Sequence, residues 1–361
     1  MKKITVSHVF VLSHSRHVLP YVDFIRTDLS HSYLQQRVLI YSKEEHSIFE
    51  QLKGIPIDIC KNRNQVVNTI KLASATHKVI LHGLYDNVIL FHFLFNKKVL
   101  KHVIWSMWGA DLYYQSPPNF KGKLITLARH LVLPQIGTKI GLTGDFEYLK
   151  QWAKVNCNQF YEIGFPAWFY NVDIKQEMTE TLTEKTSGLS AIVGNSGDTT
   201  NNYDQLIELL STTSLFSKLT FILNYGAEEA EIARIKTKAE KKLTKIQLVF
   251  LTEACSYHDF VTLVARHDAL IYNHDRQQGV GTLNIACEYG LDIFVPKLNP
   301  LYRTYKKWQI TIHDTHELTN FKATQLMSAK QKAVNKYSIR NIFHPQSCAK
   351  NIQDLLLGTK G

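Results

Sequence analysis

The apolar run Ala269-Leu270-Ile271-Tyr272 leads into Arg276-Gln277-Gln278-Gly279-Val280-Gly281-Thr282-Leu283, and a helix-like run over 283–289 follows, closed by Gly290. The order predicts strand, glycine loop, helix. A strand that leaves directly into a helix belongs to a parallel sheet with crossover helices. Two glycines let the backbone bend tightly and approach a ligand closely. The first N–H groups of the helix have no partner inside it, and that end is partially positive. A diphosphate suits such a place, and Arg276 adds a fixed, bidentate positive charge. A tight turn between packed elements is the other reading. Gly279-x-Gly281-x-x-Asn284 lacks the third glycine of a dinucleotide fingerprint and comes late in the chain.

The same alternation runs through the rest of the chain. Strands are predicted at 4–12, 36–41, 78–82, 102–105, 139–142 and 159–162, then at 189–193, 219–223, 246–251, 269–272 and 292–295. Helix-like runs, such as 20–29, 65–73, 121–133 and 229–242, lie between them. Two α/β halves result, and 361 residues suffice for both. Residues 1–168 form the first half, a polar stretch at 169–188 links the two, 189–335 form the second, and 336–361 read as a helical tail.

Ligands on parallel sheets sit at the carboxyl ends of the strands, so the loops there hold the candidate residues. His14, Arg16 and His17 follow the first strand and suit phosphate or base chemistry, or a solvated loop. His82 ends another strand, next to a glycine, where it meets a ligand or makes a plain turn. In Trp105-Ser106-Met107-Trp108-Gly109-Ala110-Asp111-Leu112-Tyr113, the rings of Trp108 and Tyr113 suit the apolar face of a sugar. Asp111 suits its hydroxyls or acts as a base; alternatively the tryptophans are core and Asp111 caps a helix. Asp145 reads as the cap of a run starting at 146. Gly194, Asn195 and Ser196 can donate to phosphate oxygens or form a surface turn, and Tyr225 stands at a further strand end.

The net charge of +11 is uneven: residues 1–170 carry 20 Lys and Arg against 11 Asp and Glu, the remainder 22 against 20. A basic first half suits a polyanionic partner, such as nucleic acid, anionic lipid or a phosphorylated substrate; an ordinary solvated basic face is the other reading. The five cysteines are scattered without a C-x-x-C pair, which fits a reducing cytoplasm and offers no zinc site. The basic, apolar start lacks the features of a signal peptide, and no apolar run reaches the roughly 20 residues that span a bilayer.

Three motifs in order, Trp108-Gly109-Ala110-Asp111-Leu112-Tyr113, Val193-Gly194-Asn195-Ser196-Gly197-Asp198 and Arg276 to Leu283, resemble the family of TDP-4-acetamido-4,6-dideoxygalactose (Fuc4NAc) transferases of enterobacterial common antigen assembly. His82-Gly83, Gly144-Asp145 and Asn299-Pro300 are weaker echoes. The resemblance covers about residues 80–300. It implies an α/β GT-B glycosyltransferase, with two Rossmann-like domains facing across a cleft. The nucleotide-sugar would sit in the second domain, with no metal or other cofactor. It also implies a polyprenyl-diphosphate-linked saccharide as acceptor and a peripheral place on the cytoplasmic face of the bacterial inner membrane, where the basic half would meet anionic lipid. Under this reading Gly194, Asn195, Ser196, Tyr225, Arg276, Gly279, Gly281 and Thr282 bind the donor. Arg16, His82, Trp108 and Tyr113 bind the acceptor, and Asp111, then His14 and His17, are candidates for base or for positioning the acceptor. Many retaining GT-B enzymes carry two glutamates where Gln277 and Ile285 fall here, so the glutamate that would hold ribose hydroxyls is absent; a deoxyribose nucleotide is compatible with that. A UDP- or GDP-sugar used for another surface glycan is the alternative within this class, and a non-catalytic nucleic-acid-binding protein is the alternative outside it.

Overall fold

The computed structural model describes residues 3–11, 15–42, 55–113, 118–153, 159–165 and 188–358, the side chains of 15–17 excepted. The chain divides into two compact units: 1–170 with 342–361, and 171–341.

The first unit holds β1 (Ile4–Phe10), α1 (Ser15–Thr27), β2 (Leu34–Tyr41), β3 (Ile57–Cys60), α2 (Arg63–Lys71), β4 (His77–His82), α3 (Asn87–Phe95), α4 (Lys97–Leu100), β5 (Val103–Ser106), α5 (Phe120–Val132), β6 (Thr138–Gly141), α6 (Thr143–Ala153) and β7 (Phe160–Glu162). Its sheet has the order β3-β2-β1-β4-β5-β6-β7, with parallel pairing throughout. Alternate residues of each strand point to opposite faces. Val9, Leu81 and Trp105 therefore share one apolar layer with Ile89, Phe93, Ile125 and Val132 of α3 and α5. Val6, Phe10, Ile80 and Ile104 share the other with α1.

The second unit holds β8 (Leu189–Val193), α7 (Tyr203–Ser211), β9 (Phe216–Ile222), α8 (Glu229–Lys242), β10 (Gln247–Leu251), α9 (Tyr257–Ala265), β11 (Ala269–Ile271), α10 (Val280–Tyr289), β12 (Asp292–Phe294), α11 (Pro300–Lys307) and α12 (Ala329–Ile342). The sheet order is β10-β9-β8-β11-β12, again parallel. A final helix, α13 (Pro345–Leu357), returns to the first unit.

The expected tail thus divides near Ile342. Lys336 and Arg340 of α12 pair with Glu288 of the second unit. Cys348, Ala349, Ile352 and Leu356 of α13 instead bury against the first sheet beside Val6 and Phe24. Strand β3 was not expected: two of its four residues are exposed, so it lacks the apolar run that marks its neighbours. Among the described residues, no helix is long and apolar enough to cross a membrane.

Candidate active site

Each sheet reverses its strand order once, between β1 and β4 and between β8 and β11. In open parallel sheets the crevice at such a reversal, at the strand carboxyl ends, is where ligands bind.

In the second unit both glycine loops flank the reversal. After β8 the chain turns at Gly194, whose φ is +70° and whose place a side chain would contest with the Tyr203 ring. Asn201, fully buried, accepts from the Asn195 N–H (3.2 Å) and donates to the Ser196 carbonyl (2.9 Å). The Gly194 N–H donates to the Ile271 carbonyl (2.9 Å) and the Gly197 N–H to that of Tyr225 (2.7 Å). These amides brace the loop, so the expectation that they donate to phosphate is corrected: Asn195 presents a side chain instead. Its Nδ2 donates to the Tyr225 hydroxyl (3.2 Å).

After β11 the second loop packs on the first. Gly279 has φ +69°, and a Cβ there would lie 3.1 Å from Cβ of Asn195 and 2.5 Å from the Tyr272 hydroxyl. Only glycine meets both demands. Arg276 donates to the Thr200 hydroxyl from Nε (3.4 Å) and Nη2 (3.3 Å), and Thr200 donates to Gln278 Oε1 (3.0 Å). Asn202 Nδ2 donates to the Asn273 carbonyl (2.9 Å). Asn299 caps α11 through Oδ1 on the Leu301 N–H (2.8 Å), which turns its Nδ2 toward the carbonyls of His274 and Arg276. The loop that carries Arg276 is thereby held from behind.

Helix α10 starts at Val280, three residues earlier than expected, so Gly281 and Thr282 lie in its first turn. Its leading N–H groups have no acceptor within the helix. A Cβ at Gly281 would meet nothing within 4 Å. Glycine costs a helix about 1 kcal/mol relative to alanine, and nothing in the packing requires it here. Thr282 is buried in this first turn, and the nearby Tyr272 phenol donates to the Gly279 carbonyl (2.8 Å). Ile285 is buried among the apolar contacts of the helix.

Five buried side-chain atoms have no hydrogen-bond partner among the described residues and follow the ends of β9, β8 and β11: Asn224 Oδ1, Asn195 Oδ1, His274 Nε2, Gln277 Oε1 and Gln278 Nε2. Each such atom costs about 1–3 kcal/mol when left unpaired, and five together mark a place that a polar ligand completes. Burial lowers the pKa of His274 to about 3, so its imidazole is neutral. Asn224 and His274 were not identified from the sequence. The available signal was a single polar residue just past an apolar run, which many turns share.

In the first unit the crevice is aromatic. His82 stacks on Phe10 (4.1 Å between ring centres), meets Tyr21 edge-on (4.4 Å) and lies near Trp108 (6.2 Å). A chain of hydrogen bonds fixes its tautomer. Gln36 Nε2 donates to the Leu29 carbonyl (2.9 Å), leaving Oε1 to accept from His8 Nε2 (2.9 Å). Burial lowers the His8 pKa to about 4 and that of His82 well below its usual value. Neutral His8 therefore accepts at Nδ1 from His82 Nε2 (3.3 Å). His82 Nδ1 is left as a buried lone pair with no partner among the described residues.

Asp111 is fully buried. Its Oδ2 accepts from Trp105 Nε1 (2.7 Å) and the Leu84 N–H (3.1 Å), and its Oδ1 from the Trp108 N–H (2.9 Å). Burial raises its pKa while these donors and Arg129 lower it. A carboxylate so occupied ties the loops after β4 and β5 together. Of the two roles expected for Asp111, these donors fit positioning. Tyr113 likewise donates its hydroxyl to Asp145 (2.8 Å), a buried carboxyl that desolvation raises to about 7. Asp145 lies inside the first turn of α6, not ahead of it. His14 lies outside the described residues, and Arg16 and His17 are described only as backbone in α1. No group of three or more His, Cys, Asp or Glu side chains among the described residues could hold a metal.

The fold matches solved glycosyltransferases along its whole length. A glycosyltransferase from Rickettsia africae shares 13% identity at TM-score 0.69, covering 99% of each chain. Anabaena HepE in complex with UDP shares 11% at 0.65, covering 99% of this chain and all of that one. A sucrose-phosphate synthase from Thermosynechococcus elongatus shares 11% at 0.67, with 99% of each covered. The architecture is GT-B: α/β, with two Rossmann-like units. The sequence model of the family described as "4-alpha-L-fucosyltransferase glycosyl transferase group 56" matches residues 3–359. The chain belongs to that family and is a glycosyltransferase.

Proposed function

We propose that the chain transfers a 4-acetamido-4,6-dideoxygalactose-type sugar from a TDP-sugar to a polyprenyl-diphosphate-linked saccharide, at the cytoplasmic face of the inner membrane and without a metal. The observation that carries the donor half is the crevice between β8 and β11, with its open helix start and unpaired buried polar atoms. Breaking the glycosidic bond adds charge to the departing diphosphate. The first turn of α10 and Arg276 suit that charge, and stabilising it is the main electrostatic task. Asn195, Gln277, Gln278 and His274 then supply directional contacts to the nucleotide and sugar. The three sequence motifs support the particular donor and acceptor.

The acceptor half of the proposal rests on His82. Its Nδ1 lone pair can take the proton of the incoming hydroxyl, while His8 and Gln36 hold the ring in the competent tautomer. Asp111 is a positioning residue that shapes the loop carrying Trp108. A UDP- or GDP-sugar is the competing donor, and the UDP complex of HepE keeps it in view. A donor panel with TDP-, UDP- and GDP-sugars tests the assignment. Turnover with TDP-sugars supports it, and turnover confined to UDP- or GDP-sugars removes it.

A further inference from the structure

A surface helix normally turns its apolar stripe to the core and its polar face to water. Helix α5 does not. Its inner face buries Ile125, Ala128 and Val132, yet Phe120 (77% exposed), Leu124 (43%), Leu127 (56%) and Leu131 (44%) lie on the solvent side. Their spacing of four, three and four residues puts all four on one stripe. Lys121 and Lys123, both exposed, are the other two outward residues of this helix and flank the stripe on either side.

The neighbouring elements continue the pattern. Helix α3 packs on α5 and ends in Phe95, 85% exposed. Lys97, Lys98 and Lys101 follow, all exposed. The chain just past α5 is tied back to this segment by the Gly137 N–H donating to the Leu100 carbonyl (2.8 Å). Between residues 87 and 144 the sequence holds one acidic residue, Asp111, and it is buried. The surface is therefore apolar and cationic with no exposed carboxylate from this segment. A protein partner would need a matching acidic rim around an apolar groove. An anionic bilayer offers phosphate at the rim and hydrocarbon beneath it over any area.

We propose that the outer face of α5 lies in the interface of an anionic membrane, with Phe120, Leu124, Leu127 and Leu131 among the acyl chains and the lysines at the phosphates. Helix α5 runs back from the loop after β5 toward the start of β6, so Phe120 sits at the end of the sheet where the strand carboxyl ends lie. Docking through this face sets that end of the first unit beside the bilayer, where a lipid-linked acceptor presents its saccharide. The proposal agrees with the transferase reading but does not require turnover.

The test is sedimentation with vesicles of equimolar phosphatidylglycerol and phosphatidylcholine, or of phosphatidylcholine alone, using the full chain. Wild type should bind the anionic vesicles more tightly and release as salt rises. Leu124→Glu with Leu127→Glu, both at exposed positions, should weaken binding at least about tenfold. Lys121→Glu with Lys123→Glu should remove the preference for anionic vesicles. Circular dichroism and an unchanged melting temperature show that the variants fold. Equal vesicle binding by wild type and the leucine variant overturns the proposal. So does a wild-type dimer in sedimentation velocity that the leucine variant converts to monomer, because the stripe would then be a contact between copies. Neither readout uses a sugar donor, so a wrong transferase assignment leaves this result standing, and a failed vesicle result leaves the transferase assignment standing.

Discussion

The two sheets reverse their strand order in the same way, but the two crevices are furnished oppositely. Between β8 and β11 the lining is backbone, side-chain amides, the neutral His274 imidazole and one guanidinium, with a glycine in the first turn of a helix where nothing crowds it. Between β1 and β4 it is aromatic rings around a pair of neutral imidazoles. Dipoles and a fixed cation suit a charged diphosphate. Rings and an uncharged base suit a sugar and its hydroxyl. The same topology thus carries two chemistries, and the difference lies in a few residues just past the strand ends.

Substitutions on the two sides separate the roles. The largest effect is expected at the donor crevice. Gly281→Leu adds a side chain in open space, so the melting temperature should hold while turnover falls by about 10³-fold, as when a main oxyanion donor is lost. Arg276→Ala should follow with about 10²-fold. On the acceptor side, His82→Asn should lower kcat by about 10²-fold with nucleotide affinity unchanged. If nucleotide affinity falls instead, the two crevices are not distinct in function.

Smaller effects concern stability. Asp111→Ala strands three N–H groups and should cost about 2–4 kcal/mol in urea denaturation. Unchanged stability with lost turnover would restore Asp111 as a base. The pH dependence is weaker still. His8 and His274 titrate near 4 and 3 when folded, below the unfolded value of 6.5. The unfolded chain therefore binds more protons between those values, so their contribution is full above about pH 6.5 and drains as pH falls toward 4 and then 3. Asp145, raised to about 7, acts in the opposite sense, contributing below 3.8 and losing that contribution as pH rises through 7. Two histidines against one carboxyl predict a melting temperature lower at pH 5 than at pH 7; the reverse order contradicts these burial assignments.

The strand and helix pattern was legible because each buried strand is an apolar run closed by glycine or polar residues. Exposed β3 and the return of α13 to the first unit were not, since both depend on partners remote in the chain. The glycine loops were legible as loops, but not the use of the Gly194 amides for bracing, which needs Asn201 and Tyr225 brought beside them. Trp108, Asp111 and Tyr113 stood out as a cluster. Their division into ring face and structural carboxylate follows from which N–H groups surround Asp111, and local sequence does not carry that. Asn224 and His274 gain meaning only when the order β9-β8-β11 sets their strand ends side by side.

Titration of TDP into the 361-residue chain, followed by calorimetry, reaches the central claim most directly. Saturable binding by wild type and by His82→Asn, lost in Gly281→Leu while that variant stays folded, is the predicted result. Undiminished TDP binding by Gly281→Leu would contradict the placement of the departing diphosphate at the start of α10.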